Sequence, residues 1–183
     1  NAIWLDKNKT SSYELYQFFL NVEDCMVIDY LKKYTFLSKE EIDKLAESTE
    51  KEPEKRLAHK TLAKEIVTFL HGEEAYEEAL NITNSLFSGN IKNLSSKEIM
   101  QAFKGLEAYE IAEAKNIIDL LVESKICSSK REAREFVQNG SIYINGEKNN
   151  NLETIIDKNI AIDNKYVIIR RGKKKYFMIA FND

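Results

Sequence analysis

The chain has 183 residues, with 27 Lys and Arg against 30 Asp and Glu for a net charge of −3, a length that holds one large or two small domains whose cores need no staples. No apolar run nears membrane-spanning length, and NAIWLDKNKT lacks the apolar centre of a signal peptide. Cys25 and Cys127 stand far apart without ligand spacing, which excludes a zinc site or disulfide framework and points to a reducing, cytosolic setting.

Helical spacing begins behind Ser11 and Glu14, which form a capping-box pair, with Leu15, Phe18, Phe19 and Val22 as the inward stripe. Val27, Ile28, Leu31 and Tyr34 predict a second, short helix, and Ser38 with Glu41 caps a third that buries Ile42 and Leu45. Pro53 is placed to open a helix whose stripe, Ala58, Leu62, Ile66, Phe69 and Leu70, stops at His71-Gly72. Glu73–Phe87 predicts the next helix, and Ser95 with Glu98 caps a short last one. Residues 1–107 therefore read as a mainly α helical bundle, with Ala108 to Lys115 as the boundary.

Residues 108–183 read differently: helix, helix, hairpin, loop, hairpin, a small α+β module. In SSKREAREFVQNGSIYINGE, Ser129 and Glu132 cap a helix, Gly140 ends it, and Asn145-Gly146 has the preference of a type I′ hairpin turn. Ala133, Phe136 and Val137 form its buried stripe and leave Arg131, Arg134 and Gln138 on an outward line. A second basic cluster, Arg170, Arg171, Lys173, Lys174 and Lys175, falls at the turn of the second hairpin. Charge is divided unevenly: residues 1–107 carry 14 Lys and Arg against 19 Asp and Glu, and residues 108–183 carry 13 against 11. Two cationic patches on the more basic part suggest a polyanionic partner such as structured RNA. The bland alternative is a solvated helix face on which Arg131 pairs with Glu135.

No catalytic constellation is present. His59 and His71 lack cysteine or carboxylate partners at ligand spacing, the paired glutamates read as solvent faces and first-turn charges, and none of the six glycines builds a phosphate loop. Tyr13, Tyr16, Phe18 and Phe19 could stack bases, with core packing the stronger expectation for the two phenylalanines. Asp24 could accept a hydrogen bond from a base edge, and its position also suits a helix N-cap.

The block ICSSKREAREFVQNGSIYINGE resembles the RNA-binding fold named after ribosomal small-subunit protein S-four. WLDKNKTSSYELYQFFLNVED, YLKKYTFLSKEEI, EPEKRLAHKTLAKEIVTFLHGEEA, SLFSG and VIIRRGKKKYF resemble, in the same order, the C-terminal portion of the bacterial tyrosyl-tRNA synthetases. That resemblance implies a helical anticodon-binding domain over residues 1–107 and an S-four-like α+β RNA-binding domain over 108–183. The family's HIGH-type and KMSKS-type motifs are not in this chain, so the resemblance implies a non-catalytic piece of a longer tyrosine-tRNA ligase, as the missing initiating methionine also suggests. ATP and magnesium then belong to the parent, with no cofactor here. The partner implied is tyrosine tRNA, with neither DNA nor membrane, in the cytoplasm. The family pairs through its catalytic region, so this piece is expected to be monomeric.

Carried over residue by residue, Ser128, Ser129, Lys130, Arg131 and Arg134 match the family's RNA-gripping helix start, Arg170 to Lys175 its basic hairpin, and Asp24 the neighbourhood that reads the anticodon. The sequence departs from the family pattern at Ser12, where proline is usual, at Phe19, where tryptophan is frequent, and at Cys25-Met26, where an arginine-aspartate pair is common. Two other readings stay open: a general structured-RNA module of another RNA-modifying or ribosome-associated protein, and a protein-interaction bundle with solubilising charges.

Overall fold

Three serine hydroxyls set the starts of helices. In the computed structural model, which describes residues 3–182, Ser11, Ser38 and Ser95 each accept the N–H of the glutamate three residues on, and that glutamate accepts the serine N–H in return. These boxes open α1 (Ser12–Leu20), α3 (Lys39–Lys51) and α6 (Ser96–Ala102). Between them lie α2 (Asp24–Tyr34), α4 (Leu57–His71) and α5 (Glu73–Ser88). The chain divides into two compact units, residues 1–83 and 84–183. Asn1, Ala2 and Asp183, the outermost positions of the expected domains, lie outside the described residues.

In the first unit α4 packs against α1, α2 and α3. Its stripe of Ala58, Leu62, Ala63, Ile66 and Val67 meets Leu15 and Tyr16 of α1, Val27 and Leu31 of α2, and Ile42 and Leu45 of α3. Each such large side chain contributes about 1.5–3 kcal/mol by leaving water. His71 ties down the segment before α1. Its Nε2 donates to the Leu5 carbonyl at 2.8 Å, since that oxygen only accepts, and its Nδ1 shares a hydrogen bond with the Ser12 hydroxyl at 2.8 Å.

Three expectations for this unit are corrected. Pro53 opens only a 3-10 turn, Pro53–Lys55, because Arg56 then takes a left-handed conformation (φ 49°) and α4 starts at Leu57. Phe18 and Phe69 are not core residues: they are 44% and 68% exposed, since α1 and α4 already meet through Leu15 and Leu62, and both phenylalanines line an apolar cavity of about 400 Å3. Tyr16, read as a possible base stacker, is buried instead, 6.0 Å from the Tyr76 ring. Cys25 sits exposed on α2.

The second unit is organised by a five-stranded sheet in the order β1-β7-β6-β3-β4. Its strands are β1 (Ala108–Ile111), β3 (Ile142–Ile144), β4 (Glu147–Lys148), β6 (Tyr166–Arg171) and β7 (Lys175–Phe181). β1 runs parallel to β7, and the other neighbours are antiparallel. A separate pair joins β2 (Lys115–Asn116) to β5 (Ile155–Ile156). The stretch expected to be only a boundary thus supplies β1, and its pairing partner is about seventy residues away, beyond the reach of local periodicity.

On one sheet face, Val167, Ile169, Ile179, Phe181 and Ile142 pack against α7 (Ile117–Glu123) and α8 (Lys130–Gln138) through Leu120, Leu121, Ala133 and Val137. Alternation sends Tyr143, Ile168, Arg170, Tyr176 and Met178 to the other face, where Phe103 meets Tyr176 with ring centres 5.3 Å apart. The Asn145-Gly146 turn has φ of 48° and 88°, as type I′ requires. Buried Asn145 ties β6 to the turn at Ile160 with its side chain, donating to the Ile160 carbonyl at 2.7 Å and accepting the Ile168 N–H at 2.8 Å.

Gly146 also presses against Gly89, where an added Cβ would sit 1.7 Å from the Gly89 carbonyl oxygen. Gly146→Ala should therefore destabilise the chain by about 3 kcal/mol in urea unfolding followed by circular dichroism. Gly172→Ala, with φ of 68° but open space around it, should cost only about 1 kcal/mol.

Candidate nucleic-acid interface

Helix α8 is locked at both ends. Ser129 Oγ accepts the Glu132 N–H at 3.2 Å, but Glu132 bypasses the expected return bond and takes the Ser128 N–H and hydroxyl at 2.5 and 2.6 Å. These bonds, the hydroxyl first, hold the Glu132 carboxyl below the usual glutamate range. At the far end Gly140 (φ 64°) donates to Val137 and Ser141 donates to Phe136, a Schellman closure. On this rigid segment Ala133 and Val137 are buried, and Arg131, Arg134 and Gln138 are exposed. Arg131 and Glu135 both stand exposed, and among the described residues they form no ion pair with each other. Lys130 does have a partner: its Nζ lies 2.7 Å from Asp119 of α7 and depresses that carboxyl. Lys130 and Arg134 border a polar cavity of about 160 Å3 that Asp119 and Glu153 also line.

The second basic cluster is not one turn of equivalent charges. Arg170, Arg171 and Lys175 belong to strands, leaving Gly172, Lys173 and Lys174 as the turn, because β6 and β7 pair through Arg171 and Lys175. Strand alternation sends the two arginines to opposite faces. Arg171 points to the α8 side, donates to the Ile126 carbonyl and lies over the rings of Phe136 (5.4 Å) and Phe177 (5.7 Å). Arg170 stacks on Tyr143, 3.8 Å from its ring centre, and reaches the Lys173 carbonyl at 3.4 Å. Lys173, Lys174 and Lys175 are exposed. The Gly172 N–H donates to the Ser141 carbonyl at 2.8 Å, so this turn abuts the end of α8. Beneath it, burial pushes the Cys127 thiol up.

Asp24 lies in the first unit. It is the first residue of α2 and not its N-cap; that position is held by Glu23, which makes no side-chain capping bond. The Asp24 carboxylate instead meets Arg56 Nη1 at 3.3 Å and His59 Nε2 at 3.1 Å. Arg56 also donates to the Leu20 carbonyl at 2.9 Å, and His59 Nε2 lies 3.1 Å from that of Val22. Burial, then the neighbouring Arg56, lowers the His59 pKa against the pull of Asp24, and its buried Nδ1 has no partner.

The two halves of the sequence match related families. Residues 98–179 match the tyrosine--tRNA ligase SYY-like C-terminal domain, and residues 1–88 match the class I tRNA synthetases (W and Y). A tyrosine–tRNA ligase of Lactobacillus johnsonii is 55% identical across 97% of this chain and 43% of its own length. One of Streptococcus pneumoniae is 51% identical across 99% of this chain and 44% of its own. The chain belongs to the tyrosine–tRNA ligase family. It spans less than half the length of these ligase relatives. A solution structure of a tyrosyl-tRNA synthetase C-terminal domain is 41% identical, covering 52% of this chain and 98% of that one with a TM-score of 0.44.

Within this tyrosine–tRNA ligase segment the structure joins α8 to the β6–β7 turn and keeps Asp24 in the other unit. Reading the sequence missed Tyr143, although alternation from buried Ile142 places it on the Arg170 face. It also missed Arg56 and His59 as partners of Asp24, for which no local signal exists across more than thirty residues.

Arg171→Ala should lower stability by about 2 kcal/mol in thermal or urea unfolding, from the lost charged hydrogen bond. Lys173→Ala, at an exposed turn, should change it by less than about 0.5 kcal/mol. Glu132 and Asp119 have depressed carboxyls, which stabilise the fold above the ordinary carboxylate range and lose that contribution as pH falls through their folded-state values. Unfolding midpoints measured against pH should therefore fall on the acid side, and Glu132→Gln should flatten that decline.

Proposed function

We propose that this chain is the tRNA-binding portion of a tyrosine–tRNA ligase, which recognises tyrosine tRNA and positions it for ATP-dependent aminoacylation by a catalytic domain outside the chain. The observation that carries the reading is the outward line Arg131, Arg134 and Gln138 on a helix fixed at both ends, beside the Lys173–Lys174 turn. Fixed cations lose little entropy when a folded polyanion settles on them, and each phosphate neutralised releases counterions. Residues 108–183 serve as the S-four-like clamp, with Ser128, Ser129 and Glu132 holding the helix start and Lys130 bracing α7 while its exposed ammonium faces the same cavity as Arg134. Arg171 supports the clamp from behind.

Residues 1–107 serve as the anticodon-binding domain. Arg56 and His59 occupy one Asp24 oxygen, and the exposed carboxylate keeps its second oxygen to accept from a base edge. The parent enzyme uses ATP with magnesium. Among the described residues no group of three or more His, Cys, Asp or Glu is arranged to hold a metal ion, and no step of the reaction is assigned to this segment. The segment works in the cytoplasm as a monomer, binds neither DNA nor membrane, and joins a parent that dimerises through its catalytic region. A general structured-RNA module is not favoured, because the match to the ligase family extends through the helical half.

Filter binding of tyrosine tRNA, a noncognate tRNA and an unrelated hairpin RNA tests this reading. Selective retention of tyrosine tRNA is expected, and equal retention of all three would point to the general module. Arg131→Ala with Arg134→Ala should weaken binding and reduce the slope of log affinity against log salt by about two at most. An unchanged slope would remove both arginines from the interface.

A further inference from the structure

The two faces of the β6–β7 hairpin divide the labour between adjacent arginines. Arg171 is committed to the Ile126 carbonyl and to two buried-side rings, whereas Arg170 lies on the opposite face among aromatic side chains. Register aligns them: Tyr143 of β3 pairs with Arg170 of β6, which pairs with Tyr176 of β7. Cross-strand partners share a face, so the three side chains form a single row. The guanidinium carbon lies over Tyr143, 3.8 Å from the ring centre, its Nη1 donates to the Lys173 carbonyl, and Tyr176 is backed by Phe103 at 5.3 Å. All three members of the row are half-buried, and among the described residues Arg170 has no carboxylate partner. Lys173 and Lys174 stand exposed in the turn beside the row, whereas Lys175 pairs with Arg171 on the other face.

A phosphate grip needs a charge and no particular plane. A flat guanidinium laid on a phenol ring, next to a second ring and flanked by ammonium groups, matches instead an unpaired nucleotide, whose base stacks on planar groups while its phosphates meet the lysines. We propose that Tyr143, Arg170 and Tyr176 form a stacking platform for an unpaired base of the bound RNA, with Lys173 and Lys174 of the adjoining turn contacting the flanking phosphates. This rests on the RNA-binding reading above and gives that hairpin a ligand class: a looped-out or single-stranded nucleotide, in contrast to the helical backbone that suits α8.

The test separates plane from charge. Affinity of the 183-residue chain for a tyrosine tRNA transcript is measured over a salt series for Arg170→Lys, Tyr143→Leu, Tyr143→Phe and the double change Lys173→Ala with Lys174→Ala, with circular dichroism confirming that each variant is folded. Arg170→Lys keeps the charge and should still bind about five- to tenfold more weakly with the salt slope unchanged. Tyr143→Leu should behave likewise, and Tyr143→Phe should recover most of the loss. The lysine double change should instead reduce the slope by about two at most. Wild-type affinity in Arg170→Lys would overturn the platform and leave Arg170 as a point charge. If the lysine double change also left affinity and slope untouched, RNA binding by this hairpin would itself fail, a result separate from loss of the platform alone.

Discussion

A single guanidinium ties the strand system of the second unit to its helices. Arg171 leaves β6 on the helix-facing side, where an arginine would ordinarily be a misplaced charge, and makes that position workable by donating to the Ile126 carbonyl and lying over Phe136 and Phe177. A buried or half-buried charge is tolerated only where hydrogen bonds and ring faces replace water. The consequence is geometric. The connection between α7 and α8 is held to the sheet, and with it the serine-capped start of α8 on which the exposed arginines are mounted. The positions of the RNA-facing groups follow from this inward contact.

The cationic groups of the second unit fall into distinct mechanical classes once their partners are known. Lys130 braces one helix against another, Arg171 is internal, Arg170 is laid on a ring, and Arg131, Arg134, Lys173 and Lys174 face solvent. A net charge near zero for the whole chain conceals this arrangement. Attraction for a polyanion depends on where cations are held and what neutralises them. In the first, more acidic unit, the chemistry available at Asp24 is different in kind. A carboxylate fixed on one oxygen by Arg56 and His59 can accept from a donor, and it repels phosphate.

Local chemistry was legible in the sequence wherever the governing interaction spans a few residues. The three serine-glutamate boxes, the Gly140 helix stop and the Asn145-Gly146 turn form as the residues alone require. The fold class and the outward line of α8 follow from the same short-range rules. The cap at Ser129 shows the limit: Glu132 chose Ser128, because two donors from one residue outweigh a single return bond. Contacts between distant segments left no trace. β1 is recognised only by its partner β7, Asp24 by Arg56 and His59, and Phe18 and Phe69 are periodic residues whose helix has already found its core through other side chains. Adjacent Arg170 and Arg171 read as one cluster until the pleat sent them apart.

The order of strands carries a consequence for how the molecule is made. β7 is the seventh strand along the sequence, yet it lies inside the sheet, hydrogen-bonded to β1 on one side and β6 on the other. Until Lys175–Phe181 has emerged from the ribosome, β1 has no neighbour and the apolar face that packs on α7 and α8 is incomplete. During vectorial synthesis the second unit therefore waits for its keystone, while the first unit, closed by contacts among α1 to α4, is free to fold ahead of it.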